Sequence, residues 1–254
     1  MSHSPRRRTL PRGSIVKPRT EVGQARLFRA GARNAARKGC PTGLAHVSPE
    51  FCDKEGRGTR GMLAMTPPLP RKRFTRVEVE RLLESGVFDG QRFELIDGDL
   101  IEKMGQKPPH SYTIHLVLNW LASFLGTRVI RVQLSMEASG DDRERSVPES
   151  DLAVLIEMKP EYQRRHPRGS ELRLVVEVSD STRAFDLSRK ASLYACAGVP
   201  EYWVLDLTRR MLVIHRQPDG EQYRHIRMFT EDEVVSMEDR EERVKVAELL
   251  PDRD

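Results

Sequence analysis

Two acidic residues stand where the surrounding sequence predicts burial. Asp151 opens the apolar run DLAVLIE, and Glu177 lies among Val175, Val176 and Val178 in LRLVVEV. A carboxylate taken out of water is costly unless it is paired. A hard divalent cation is one partner for such a group and a lysine is another. Lys190 follows thirteen residues after Glu177, and Asp186 precedes Lys190 by four residues. On a helix that spacing puts Asp186 and Lys190 on one face. Charge neutralisation and proton handling are the chemistry that such a set can do.

Positioning these residues requires strands and a returning helix. Thr75 reads as the cap of a helix over Arg76–Ser85, with Val77, Val79, Leu82 and Leu83 as its apolar positions. Phe93–Met104 reads as a hairpin turning at Asp97-Gly98, closed by Pro108-Pro109. Ile114, Val117, Leu118, Leu121 and Leu125 predict a helix over His110–Leu125, ended by Gly126. Strands follow at Arg128–Met136, Asp151–Glu157 and Glu171–Val178. A helix over Asp186–Ala197 precedes a hairpin of Glu201–Leu207 with Met211–Gln217 and a further strand at Gln222–Phe229. This order predicts an α/β protein with a mixed central sheet flanked by helices.

Several of these segments together carry a family likeness. EVSDSTRAFDLSRKASLYACAGVPEYWVLD, FELIDGDLIEKM and PPHSYTIHLVLNWL resemble, in the right order, the Uma-two family of restriction-endonuclease-like proteins within the PD-(D/E)XK nuclease superfamily. The resemblance covers roughly residues 72–230 and implies a restriction-endonuclease-like core. It implies Asp151 and Glu177 as metal ligands, Lys190 as the family's relocated lysine, Glu94 as a further acid at the site, and His110 as a histidine at the start of the first helix. The superfamily's usual lysine position is occupied by Ser179, and Ser150 stands where a proline often precedes the aspartate. A Mg²⁺ or Mn²⁺ held by Asp151 and Glu177 would neutralise phosphate charge and lower the pKa of its bound water. Lys190 would orient or deprotonate that water, or hold the phosphate as a point charge. The implied function is a metal-dependent endonuclease hydrolysing DNA phosphodiester bonds, with a homodimer left open. A non-catalytic nucleic-acid-binding or interaction module on the same fold is the alternative. A glycosidase-type carboxylate pair fits less well, since it leaves Lys190 idle.

Plainer readings stand beside these. Asp151 suits a strand-edge acid met by loop amides, and Asp186 a helix N-terminal acid favoured by the dipole. Lys190 alone suits a solvated helix residue. His110 suits a helix-start residue and His115 the edge of the core. Tyr194, Tyr202 and Trp203 read as packing residues, Cys196 as a small buried hydrophobe, and Asp206 as a turn acid.

Net charge adds less than its total suggests. The 254 residues hold 43 Lys and Arg against 38 Asp and Glu, a formal +5. Residues 1–65 hold 14 of the bases and four of the acids, leaving 29 and 34 for residues 66–254. A basic, Arg-, Gly- and Pro-rich tail over residues 1–66 thus precedes a mildly acidic domain over 67–235 and a charged C-terminal tail over 236–254. The basic tail reads as a nucleic-acid arm, a transit peptide, or sequence upstream of a start at Met62 or Met65, the last being favoured. Cys40 and Cys52 with His46 lack a paired metal-ligand spacing. No run of about 18 apolar residues predicts a membrane span, and three cysteines are too few for a disulfide framework, so a cytoplasmic location is expected.

Overall fold

Six segments with strand-forming character make one sheet in the computed structural model, which describes residues 70–103 and 105–253. The basic tail, with Cys40 and Cys52, lies outside the described residues, as does Met104. The sheet comprises β3 (Ile130–Ser135), β4 (Glu149–Leu155), β5 (Leu172–Ser179), β6 (Glu201–Asp206), β7 (Met211–Asp219) and β8 (Gln222–Thr230), in that spatial order. Neighbours are antiparallel except β5 and β6, which are parallel. A parallel pair needs a crossover, and a helical segment supplies it. The expected α/β architecture with a mixed sheet is what the chain adopts.

Strand alternation divides the core in two. Leu152, Val154, Leu174, Val176 and Leu205 face α2 (Pro108–Leu125), which contributes Ile114, Val117 and Leu121. Ala153, Val175, Tyr202 and Val204 face the crossover helix, which contributes Ala191, Tyr194 and Ala195. Because β5 is covered on both sides, its central run is apolar, and Glu177 is the buried charged residue in it. Trp120 of α2 stacks on Trp203 of β6 with ring centroids 5.6 Å apart.

Several boundaries differ from expectation. Pro108 and Pro109 do not close the hairpin but occupy the first turn of α2, where a missing N–H costs nothing. The crossover helix begins at Arg183, not Asp186. It runs as α3 (Arg183–Phe185), a π turn (Asp186–Lys190) and α4 (Ala191–Cys196). The charged tail expected over 236–254 contributes five residues to the core. β9 (Val234–Val235) pairs with β10 (Val244–Lys245), and Met237, Val244, Val246, Leu249 and Leu250 are buried in the α2-side cluster. The charged run at 238–243 lies between those strands and masks the apolar residues on either side of it in the sequence.

Two small elements complete the frame. α1 (Arg76–Glu84) starts in a capping box, with Glu78 N–H donating to Thr75 Oγ1 and Thr75 N–H to Glu78 Oε2. Val79 is its buried residue, while Val77 and Leu83 are exposed. β1 (Phe93–Ile96) and β2 (Asp99–Glu102) form the expected hairpin, with φ of 54° at Asp97 and 82° at Gly98. A Cβ at Gly98 would lie 2.9 Å from Arg73 Cβ, so the turn also needs the glycine for space. No helix among the described residues is long and apolar enough to cross a membrane.

Candidate functional site

Asp151 and Glu177 are placed by the β4–β5 register. Leu152 pairs with Val176, so Asp151 and Glu177 occupy the next positions on neighbouring strands and share the crossover-helix face. Beyond that pair the strands are joined through a side chain: Val178 N–H donates to Asp151 Oδ2 at 2.8 Å. On its other side Asp151 meets a break in β3. Ser150 and Leu152 pair with Leu134 and Val132, but Gln133, between them, has φ of 54° and leaves the ladder. Nothing in the sequence around Gln133 signals this, since a left-handed glutamine follows from the local sheet geometry.

Three further elements close over the pair. Lys190, at the end of the π turn, donates to Glu177 Oε1 at 2.9 Å and to the Glu149 carbonyl at 3.2 Å, and lies 3.1 Å from Glu94 Oε2. Glu94, on β1, also accepts from the Glu149 N–H at 3.1 Å, which fastens the hairpin to β4. His110, in the first turn of α2, brings Nε2 to 3.2 Å from Asp151 Oδ2. That approach is close but lacks the alignment of a hydrogen bond, and Nε2 has no hydrogen-bond partner among the described residues. All five residues singled out in the sequence are therefore brought together.

Two neighbours were read differently in the sequence. Tyr194 packs in the core as expected, but its hydroxyl donates to Glu177 Oε1 at 2.7 Å. It lies four residues beyond Lys190, so the helical spacing that paired Asp186 with Lys190 extends to it. Asp186 is not the helix N-terminal acid expected, since the crossover helix begins at Arg183: it is 3% exposed in the π turn and accepts from Thr182 Oγ1 at 2.6 Å. Lys190, equally buried, is no solvated helix residue. The hairpin turn is tied to the same π turn by Arg189, whose Nε donates to Asp97 Oδ2 at 2.6 Å and whose Nη2 donates to Asp142 Oδ1 at 2.6 Å. Elsewhere, His115 is exposed and Cys196 only half-buried. Asp206 accepts from Arg209 N–H as a turn acid and also pairs with Arg183.

Burial raises Glu177 to about 8, and nearby Asp151 adds to this, while Lys190 opposes it. Burial also acts to raise Asp151, but His110 and the Val178 N–H outweigh it and hold Asp151 below the ordinary carboxylate value. For Lys190, burial disfavours the charge, and Glu177, Glu94 and Asp186 overcome it, so the ammonium stays protonated. The cluster thus carries more carboxylates than cations.

Among the described residues no three His, Cys, Asp or Glu side chains form a metal-ligand cluster. Asp151 and Glu177, however, each keep one carboxylate oxygen that no donor reaches among the described residues. Two hard oxygens on neighbouring strands suit a small divalent cation that retains most of its waters, and such a cation would favour the ionised form of Glu177. Asp151 and Glu177 could hold one there.

Comparison with known proteins gives the class to which this chain belongs. Residues 77–246, about two thirds of the chain, match the Uma2 family, described as "Putative restriction endonuclease". The chain belongs to that family. Among solved structures it is similar to a protein from Anabaena variabilis described as "a putative nuclease belonging to DUF820". The two are 16% identical with a TM-score of 0.47, over 62% of this chain and 88% of that one. No curated protein matches the chain.

Proposed function

We propose that the protein is a metal-dependent endonuclease that hydrolyses DNA phosphodiester bonds. The observation that supports this reading is the convergence of Asp151, Glu177, Lys190, Glu94 and His110, from four separate elements and the π turn, on one acid-rich spot. Asp151 and Glu177 would hold Mg²⁺ or Mn²⁺, which when bound neutralises phosphate charge and acidifies its water. Lys190 is a protonated, 3% exposed ammonium, so it serves as a fixed charge that orders Glu94 and Glu177 and not as a base. His110 sets Nε2 beside Asp151 Oδ2 and would help to hold the orientation of that ligand.

The test is nicking of supercoiled plasmid DNA by the full chain with Mg²⁺ or Mn²⁺, for wild type and Glu177→Ala. Nicked product from wild type alone supports the reading, and linear product adds paired protomers to it. Equal product from both proteins assigns the activity to another source. One observation favours a second reading, a non-catalytic nucleic-acid-binding module: Lys190 and Tyr194 already engage Glu177. DNA binding by gel shift with no nicking under either metal would select it.

A further inference from the structure

Two fully buried tyrosines lie side by side on the crossover-helix face, with ring centroids 4.8 Å apart. Their hydroxyls have different partners. Tyr202 donates to the Asp186 carbonyl at 3.1 Å, tying β6 to the helical crossover. Tyr194 donates to a side chain of the site, Glu177 Oε1, at 2.7 Å. We propose that Tyr194 is a positioning residue of the cation site, which together with Lys190 pins Glu177 through Oε1 and thereby presents Oε2 to the metal. This inference rests on the reading of Asp151 and Glu177 as the cation's ligands.

Lys190 alone does not fix the carboxylate. Its ammonium is a point charge on a flexible stem and divides its donors among Glu177, Glu94 and the Glu149 carbonyl, at 2.9, 3.1 and 3.2 Å. Tyr194 is different in kind. Its ring is locked by packing, so its hydroxyl approaches from one direction, and Glu177 is the acceptor it meets. A glutamate held by two donors on one oxygen loses the rotations that would turn the other oxygen away. The helix makes this possible: Lys190 and Tyr194 are four residues apart, so both stand on the helical face that covers Glu177. Groups that orient a ligand in this way typically change metal affinity 10- to 100-fold when removed.

The test uses the full chain and Mn²⁺ as the probe. Mn²⁺ affinity is measured by titration calorimetry for wild type, Tyr194→Phe, Tyr202→Phe and Glu177→Gln. Each Phe variant removes one buried hydroxyl and leaves the ring, and thermal melting checks that both keep the fold. Tyr194→Phe should weaken Mn²⁺ binding about 10-fold or more, while Tyr202→Phe leaves it within about 2-fold. The Mn²⁺ concentration for half-maximal nicking should rise in step for Tyr194→Phe, with the rate restored at saturating metal. Unchanged affinity in Tyr194→Phe, or an equal loss in Tyr202→Phe, overturns the positioning role. If that happens while Glu177→Gln abolishes Mn²⁺ uptake, the ligand reading survives and only the role of Tyr194 fails. Wild-type protein whose Mn²⁺ uptake is absent or insensitive to Glu177→Gln overturns both.

Discussion

Two buried glutamates on adjacent parallel strands show the difference between an acid that finishes a structure and an acid that leaves it open. Glu177 on β5 and Glu201 on β6 are 3% and 2% exposed, and burial raises the pKa of both. Glu201 is fully answered. Its Oε1 accepts from Trp203 Nε1 at 2.8 Å and from Arg216 Nε and Nη2 at 2.9 and 2.6 Å. Its Oε2 accepts from the Glu238 N–H at 2.8 Å. Among the described residues Glu177 has two donors, both on Oε1. A carboxylate with donors on both oxygens has less capacity left for a ligand than one with an oxygen that no donor reaches beside a second acid. Burial and a raised pKa are shared, so neither separates the two acids; the donors on their oxygens do.

The largest effect should separate these acids by activity. Glu177→Gln is expected to reduce Mg²⁺-dependent nicking about 1,000-fold, several kcal/mol of lost charge stabilisation, while urea unfolding shows an intact fold. Substantial nicking by Glu177→Gln would erase the distinction. Next comes the opposite pattern at Glu201. Glu201→Ala strands the Arg216 guanidinium and should cost about 4 kcal/mol of stability in urea unfolding. If it were instead stable and inactive, Glu201 would belong to the site.

The Glu201 end of the sheet should also set part of the acid sensitivity. His215, beside Arg216 on β7, is 2% exposed, and burial lowers it from 6.5 to about 4. Below pH 6.5 the unfolded chain accepts a proton that the folded protein resists. The stability present above 6.5 is therefore lost as pH falls towards 4, by about 3 kcal/mol in full. Urea titrations between pH 7.5 and 4 should show this loss, reduced in His215→Gln; an identical acid limb in the variant would show that His215 does not cause it. The smallest effect is Arg216→Lys. A lysine keeps the charge but not the two-nitrogen fork on Glu201, so stability should fall by about 1.5 kcal/mol, with nicking per folded molecule unchanged. A parallel fall in activity would connect the two ends of the sheet.

The fold class was legible in the order of the elements, and the candidate site in a few residue types. Asp151 and Glu177 stand out because an acid inside an apolar run needs a partner, and the Asp97-Gly98 turn because its backbone demands glycine. Tyr194 was readable only as a packing residue, since its type and burial are the same as those of Tyr202 and only the partner of the hydroxyl differs. The C-terminal segment was obscured by the charged run at 238–243, although Val244, Val246, Leu249 and Leu250 on its far side are core. The early start of the crossover helix had no side-chain cap to announce it: Thr182 donates its hydroxyl to Asp186 and caps no backbone N–H.

The sequence by itself determined the strand periodicity, the hairpin turn, the family and the acids that had to be answered, because each depends on residue types close together in the chain. The tertiary structure decided which answer each acid received. Glu94, Asp151 and Glu177 come from three strands, Lys190 from a π turn and His110 from a helix whose body packs on the opposite face of the sheet. Whether a buried carboxylate ends with both oxygens satisfied, like Glu201, or with one bare, like Glu177, depends on donors distant in sequence. Only strand register and helix packing bring those donors within 3 Å.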